Sequence, residues 1–441
     1  MDLEAEQQLE AQVIVQAVSR ETRIDLEAVE FFIRSHMLKA GARSLEGLIA
    51  AIGRGRRNEP LMCAHRHPPT RMRSKGQDHK TILTILGPVT FRRSVFVCPT
   101  CGARRYPGDE ILGVVGSGFS PGARRMMARA GAQESFRLAA EDLRLYAALP
   151  VDAKDVERVA HRVGRAVADW MQRQGTAAAV AGGRGAPIEN LYVSYDATGV
   201  PMRRKALEGV RGKGPDGKAR HREVKLGCVF TQTTTDEQGR PVRDPDSTTY
   251  VGAIESSAEF GYRIYDEAAR RGLKRAARVI VLIDAQEYNK TIAAEHFPGA
   301  ILIIDLYHAR EHLAQFVRNA TCLPVGGAVH RQWQDLLDAG DIEALTRHMR
   351  AALPRRGPRR KLGWGEINYF LNNQAFMRYD QFRAMGLFVG SGVIEAGCKT
   401  VIAKRLKQSG MFWMPDGANA ITALRCCILS GRFGDFWEAA A

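Results

Sequence analysis

Residues 191–230 read LYVSYDATGVPMRRKALEGVRGKGPDGKARHREVKLGCVF. An apolar run ends in one carboxylate, Asp196, a loop crowded with Lys, Arg and Gly follows, and a second apolar run closes the stretch. An aspartate at a strand end has an ordinary use, which is to start a turn. Its other use is to hold a cation at the edge of a sheet, and the order of elements around it bears on which applies.

Downstream, HREVKLGCVFTQT (~221–233) and TTYVGAI (~248–254) read as two more strands. SSAEFGYRIYDEAARRG follows, with Ser256 and Glu259 at capping-box spacing, and so starts a helix. ARVIVLID (277–284) is a buried strand that again ends in Asp. EYNKTIAAEHF is a short helix closed by Pro298-Gly299, and AILIID (300–305) is a strand ending in a third Asp. From Leu306 to about Arg383 the chain reads as helical, interrupted by PRRGPRRKLGWG (354–365). GLFVGSGVIEAGCKTVIAKRLKQSGMFW then sets glycines before a helix with Glu395 near its start, and GANAITALRCCILSGRF is a last apolar helix.

The order is therefore β-β-β-α-β-α-β-α, with Asp196 at the end of the first strand, Asp284 at the end of the fourth and Glu395 on the late helix. Neighbouring strand ends in an α/β sheet lie side by side, and a helix across that edge brings in a third carboxylate. Three carboxylates together repel unless cations neutralise them. Mg²⁺ suits such a site because it takes oxygen ligands and keeps waters for a phosphate substrate. Two such ions can clamp the attacking and leaving oxygens of a phosphoryl transfer.

The bulk numbers agree. A chain of 441 residues sets a prior of ~2–4 domains. At 45% hydrophobic it can bury real cores. A net charge of +16 and a pI near 9.7 favour a polyanion, most simply nucleic acid. An anionic membrane surface is the rival, but no apolar run approaches the ~18–20 residues of a spanning helix. The acidic, helical start MDLEAEQQLEAQVIVQ does not read as a signal peptide. Eight cysteines, three of them close together in the chain, point to a reducing compartment rather than a disulfide framework.

Ahead of the sheet, residues 1–58 read as helical. Residues 59–115 form a β-rich unit in which HKTILTILGPVTFRRSVFVCPTCG makes two runs around Gly87-Pro88. Cys98 and Cys101 form a C-x₂-C knuckle, and Cys63 stands upstream with His65 and His67. A closed Cys₃His site for structural Zn²⁺ fits, with one of the two histidines completing it, and free thiols are the alternative. Residues 116–174 read as three helical stretches broken at Leu149-Pro150, in the manner of a helix-turn-helix whose last helix starts near Asp152. A plain helical bundle reads equally well. Lys154, Glu157, Arg158 and His161 share one face of that helix. Residues 175–187 (GTAAAVAGGRGAP) read as a linker, 188–305 carry the strands, 306–385 read as mostly helical and 386–441 as the closing helices. RGRRN (54–58), PRRGPRRK (354–361) and KRLKQ (404–408) are basic runs. Lys399, Lys404, Arg405 and Lys407 follow Glu395 on its helix and are candidates for phosphate contact.

YDATGVPMRRKALEGVRGK, REVKLGCVFTQT, DPDSTTYVGAIE, FPGAILIIDLYHAREHL, MRYDQFRAMGLFVGSGVIEAGCKTVIAKRLKQSGMFW and GANAITALRCC together resemble the ISKra-type bacterial insertion-sequence transposases, relatives of the Mutator-like DDE transposases. The resemblance runs from about residue 60 to 437. It implies a multidomain α+β chain: a DNA-binding N-terminal region, then an RNase H-like α/β catalytic domain with a helical insertion before the catalytic glutamate. It implies a catalytic, Mg²⁺-binding triad of Asp196, Asp284 and Glu395, with Asp196 bridging two ions. It also implies that the loop with Arg203 and Arg204 runs along DNA phosphates, and that Asp305 and His308 support the site edge. The expected partners are terminal inverted repeats and target DNA, bound by a dimer or larger assembly at a bacterial nucleoid in the cytoplasm. The chain departs from the family's GDGAEW-like stretch in reading IDAQEYN (283–289), with Ala285 in place of Gly. A transposon-derived DNA-binding protein without catalysis is the second expectation. HAREH (308–312) also fits the H-x-x-E-H zinc-protease pattern, with His308 and His312 as ligands and Glu311 as base.

Overall fold

The strand that carries Asp196 is built from LYVSY, whose five residues are all buried. It is longer than the apolar run: β1 spans Ile188–Pro201. Asp196 therefore lies inside a strand rather than at its end. The reason is an antiparallel partner, β2 (His221–Gln232), which stays paired with β1 as far as Pro201↔His221 and satisfies the backbone beyond the apolar run.

The computed structural model describes residues 25–52, 60–65, 68–181, 185–210, 212 and 219–440. The expected helices before residue 25, the basic run 54–58, His67 and most of the basic loop at 211–218 lie outside the described residues. The chain divides into two compact units, residues 1–159 and 160–440.

In the first unit a helix, Leu26–Ile52, covers a three-stranded antiparallel sheet of Arg73–Thr84, Gly87–Val97 and Arg104–Arg105. Ala42 and Ile49 of the helix bury against Ile82, Val89, Phe91 and Val114. The hairpin turns at Ile85-Leu86, just before the expected Gly87-Pro88, because Gly87 has φ +117° and Pro88 already sits in the second strand. Helices Pro121–Gln133 and Phe136–Ala147 follow, capped by Ser120 and Ser135. A third helix, Ala153–Ala181, begins in this unit and continues into the second from Ala160, with the Asp152 carboxylate accepting from the Asp155 N–H at 2.7 Å. It runs through the first half of the expected linker. Residues 175–181 (GTAAAVA) are mostly alanine, the best helix former, and Gly175 is too isolated to stop it.

The second unit is organised on one mixed sheet. Its order is β3-β2-β1-β4-β5, with β3 Thr249–Ala253, β4 Ala276–Ile283 and β5 Ile301–Ile304. β3, β2 and β1 pair antiparallel, and β4 and β5 run parallel to β1. Parallel strands need helical crossovers, which are Ser257–Arg270, between β3 and β4, and Glu287–His296, between β4 and β5. The first of these has the full capping box, with the Ser256 hydroxyl accepting from the Glu259 N–H and the Glu259 carboxylate from the Ser256 N–H. Helix α1, Leu306–Ala320, leaves β5 directly. Four more helices, Ala328–Asp338, Ile342–Ala351, Pro358–Asn373 and Tyr379–Ala384, fill the stretch before the glutamate. The expected break at 354–365 is mostly helix: Gly357, at φ +103°, ends the preceding chain and Pro358 takes the first helical position, where its missing N–H costs nothing. Among the described residues no helix is long and apolar enough to cross a membrane.

Candidate active site

The register of the parallel strands sets the site. Ser194 pairs with Leu282 and Ile283 with Ile304. Two steps on from Ser194–Leu282 comes Asp196 beside Asp284, and one step on from Ile283–Ile304 comes Asp284 beside Asp305. Three aspartates thus stand in one row across β1, β4 and β5. The Asp305 N–H bonds the Ile283 carbonyl at 2.8 Å, which extends the ladder to that row.

Glu395 arrives from helix α2 (Gly392–Gly397), which continues through a π-helical turn, Cys398–Ala403, into Lys404–Leu406. A π turn loosens the backbone pattern and is common near functional sites. Its Thr400 and Val401 carbonyls accept from the buried Arg425 guanidinium, the latter at 2.6 Å. The segment after it is tied to β1 by Trp413 N–H to Pro201 carbonyl, 3.1 Å, and Arg203 N–H to Trp413 carbonyl, 2.9 Å.

The four acids differ in how many of their oxygens are used. A carboxylate offers about four lone-pair sites. Asp305 is fully buried and fills all four. Its Oδ1 accepts from the N–H groups of Tyr307 (3.0 Å) and Ser391 (3.2 Å), and its Oδ2 from His308 Nδ1 (2.7 Å) and Ser391 Oγ (2.6 Å). Burial alone would raise its carboxyl, but these donors hold it below the usual carboxylate range. Asp305 in turn raises His308 to about 9 through that hydrogen bond, with the charges of Asp305, Asp284 and Glu311 adding, so the imidazole is a cation at neutral pH. Ser391 Oγ also lies 3.0 Å from Glu395 Oε1, but its one proton goes to Asp305 at the shorter 2.6 Å, so Glu395 is a close neighbour of this pair rather than bonded to it.

Asp284 accepts on Oδ1 from Asn289 Nδ2 at 2.6 Å and from the Gln286 N–H at 3.1 Å. Asp196 accepts on Oδ1 from the Ala197 N–H at 2.6 Å, and only the weak Cys398 thiol approaches its Oδ2, at 3.9 Å. Among the described residues, Asp284 Oδ2 and Glu395 Oε2 have no donor. Burial holds the Asp196 carboxyl above the usual range. The Asp284 and Glu395 charges raise it further, against the Ala197 N–H and His308. Asp196, Asp284 and Glu395 thus combine spare oxygen donors with negative charge that His308 only partly offsets, which fits a hard divalent cation. The ligand atoms at this edge that lie within 4.8 Å of one another are instead those of Asp305, His308 and Glu395. With Asp305 saturated and His308 protonated, that group is an ion pair beside a glutamate rather than a ligand set.

The other residues singled out in the sequence separate by exposure. Lys399, Lys404 and Lys407 are exposed, and the Lys407 ammonium donates to the Thr198 hydroxyl, two residues beyond Asp196. Arg203 and Arg204 are exposed beyond the end of β1. Arg405 corrects an expectation. It is fully buried, with its guanidinium 5.1 Å from the Trp413 ring centre and Nη1 3.3 Å from Met411 Sδ, and burial beside Arg425 lowers its pKa to about 10. Lys154 and Arg158 are exposed, and Arg158 pairs with Asp155 on its own helix. His312 does not join His308. It pairs with Glu366 at 2.7 Å and stacks on Tyr369 at 3.7 Å, so the two histidines of HAREH have separate partners. Ala285 has no positive φ, so the backbone there does not require a glycine.

In the first unit Cys63, Cys98 and Cys101 converge, with their sulfur atoms within 4.8 Å of one another. His65 is exposed nearby in sequence, and the other candidate histidine, His67, lies outside the described residues.

No protein-family model and no curated protein matches the chain. Among solved structures, the Drosophila P element transposase strand transfer complex is similar over 71% of this chain and 92% of that one, at 10% identity and a TM-score of 0.35.

Proposed function

We propose that this chain is a DDE transposase of the ISKra type that binds the terminal inverted repeats of its element and cleaves and joins DNA strands with Mg²⁺. One observation carries the reading. Asp196 and Asp284 stand side by side on adjacent parallel strands, both with spare oxygens, and the Glu395 charge acts on Asp196 from a helix interrupted by a π turn. The mixed sheet, with four helices between α1 and the glutamate helix, agrees with an RNase H-like catalytic domain carrying a helical insertion.

Asp196, Asp284 and Glu395 would hold the ions, which when bound would activate the attacking oxygen and offset charge on the leaving one. The chain's own groups do the rest. Asn289 and the Gln286 N–H fix one Asp284 oxygen and leave the other free. Asp305 fixes Ser391, whose carbonyl accepts from the Glu395 N–H at 3.1 Å and so sets the start of the glutamate helix. His308 keeps a proton at neutral pH beside the acids, a fixed positive charge for a DNA phosphate to meet. Lys399, Lys404 and Lys407 extend that charge along the backbone of the strand.

The test is Mg²⁺-dependent nicking of a duplex carrying the element's ends. Asp196→Asn, Asp284→Asn and Glu395→Gln should each lower cleavage by about a thousandfold or more while end binding and a cooperatively folded structure persist. Any variant that cleaves like wild type removes its residue from the site. A wild-type protein that binds ends and never cleaves would make this a DNA-binding protein of transposon origin.

A further inference from the structure

The short-stranded corner of the first unit has too little core to hold itself. Strands Met62–Cys63 and Thr70–Arg71 form a two-residue ladder, and its apolar cluster is Leu61, Cys63, Met72 and Cys98, edged by Phe96 and Ala103. Half of those four buried side chains are cysteines. A cluster this small buries too little apolar surface to order the segment, and small folds in this position rely on a cross-link or a metal. None of the eight cysteines is in a disulfide.

The backbone aims three of them at one point. Strand Gly87–Val97 ends and the chain folds back at once: the Cys98 N–H bonds the Ala103 carbonyl at 2.9 Å, and the Gly102 N–H bonds the Cys98 carbonyl at 3.0 Å. Gly102 takes φ +70°, which a side chain would resist, and this closes the turn. The turn sets Cys98 and Cys101 on one side, and the Met72 N–H to Leu61 carbonyl bond, 2.8 Å, carries Cys63 across to face them. Two sulfurs bound about 2.3 Å from one tetrahedral zinc stand about 3.8 Å apart. Cys63 Sγ and Cys101 Sγ are 3.8 Å apart, well beyond a disulfide bond.

We infer that Cys63, Cys98 and Cys101 hold one structural Zn²⁺, with the fourth position open to an imidazole, of which His65 is the described candidate. The metal pins the 61–72 segment to the end of the long hairpin. This site lies in the other compact unit from the carboxylates, so it stands or falls independently of the catalytic reading.

The full-length protein, grown with zinc and purified under reducing conditions without chelator, should contain one equivalent of Zn²⁺. Exchange for Co²⁺ should give thiolate-to-cobalt charge transfer and the intense visible bands of tetrahedral cobalt. Chelation should open Arg71, Arg73 and Lys75 to trypsin, and added Zn²⁺ should close them again. Cys101→Ser is the informative variant because Cys101 is exposed and outside the small core, so its loss does not itself unpack the segment. It should lose the zinc and the charge-transfer band, whereas Cys322→Ser, at an exposed thiol in the other unit, should keep both. A reduced wild-type protein that takes up neither zinc nor cobalt overturns the proposal. So does metal that survives Cys101→Ser combined with Cys98→Ser.

Discussion

Replacing Asp305 by Asn keeps the size of the side chain and removes its charge. In the wild type Asp305 accepts four hydrogen bonds, and its Oδ2 holds the proton of His308. Its Oδ1 bonds, from the Tyr307 and Ser391 N–H groups, survive in Asn. Nδ2 then meets His308 Nδ1, which can accept only once the imidazole is neutral. The main loss is therefore the ion pair. Raising a histidine from 6.5 to about 9 corresponds to about 3.4 kcal/mol at 1.36 kcal/mol per unit. His308 is 38% exposed, so solvent screens much of this, and a loss of about 1–2 kcal/mol is expected. The pH dependence follows from the two shifts. His308 is raised, so its contribution is complete below 6.5 and is lost as pH climbs through about 9. Asp305 is lowered, so its contribution is present above the ordinary carboxylate value and lost as pH falls below it. Urea denaturation of both proteins in metal-free buffer should give the full difference near pH 6 and a markedly smaller one near pH 10. His308 followed by NMR should titrate near 9 in the wild type and near 6.5 in the variant. An equal difference at both pH values, or a wild-type midpoint near 6.5, refutes the ion pair.

Gly164→Ala should destabilise the second unit by about 1–3 kcal/mol in thermal melts, because the new Cβ would meet the Ala420 backbone carbonyl oxygen at 2.3 Å, and two packed helices cannot yield as a side chain can. Replacing Lys399, Lys404 and Lys407 by Gln should flatten the salt dependence of DNA binding, the log–log slope falling by about 0.9 for each phosphate no longer neutralised. Arg405→Ala should instead lower the melting temperature by unpacking Trp413 and leave that slope unchanged. An altered slope would return Arg405 to the DNA surface.

Much of the sheet is legible because each strand announces itself locally. VIVLI and ILII are apolar runs too short for helices, and each is closed by an aspartate. The true length of β1 is not legible, since residues 197–201 are ordered by a partner some twenty residues away across a polar loop, and periodicity does not see across loops. The inward turn of Arg405 is hidden for a different reason. An α-helical count from Glu395 puts it with Lys404 on one solvated helix, but the π turn at 398–403 shifts the residues after it around the helix axis, and Arg405 rotates into the core. Ser391, which donates to Asp305 beside Glu395, is not among the residues that spacing picks out. Its one signal is the GSG ahead of the glutamate helix, a small-residue setting in which a hydroxyl at a helix start is used. Asn289, which holds Asp284, gives none beyond its position in the first turn of its helix.

The row of aspartates has a consequence for stability that follows from its unequal solvation by donors. Asp305 is stabilised by its four partners, whereas Asp196 is half buried with one N–H and a distant thiol, next to two carboxylates. An acid whose carboxyl is raised by folding weakens the fold wherever it is ionised. The penalty is complete above the raised value and disappears as pH falls below the ordinary carboxylate range. Near neutral pH the wild type therefore carries a cost that Asp196→Asn removes. In metal-free buffer the variant should melt above the wild type, as is expected where a site is kept charged for function rather than for stability. Divalent cation should reverse the order. If the three carboxylates bind Mg²⁺ only when folded, the wild type gains RT ln(1 + [Mg²⁺]/Kd), about 2.7 kcal/mol at a hundredfold excess over Kd, while Asn, neutral and with one acceptor oxygen, gains far less. Differential scanning of both proteins across a Mg²⁺ titration should show the two melting temperatures cross. If they shift in parallel, Asp196 is no ligand. If the wild type is already the more stable without metal, the charge at Asp196 is compensated by the fold, and the case for a cation beside it falls.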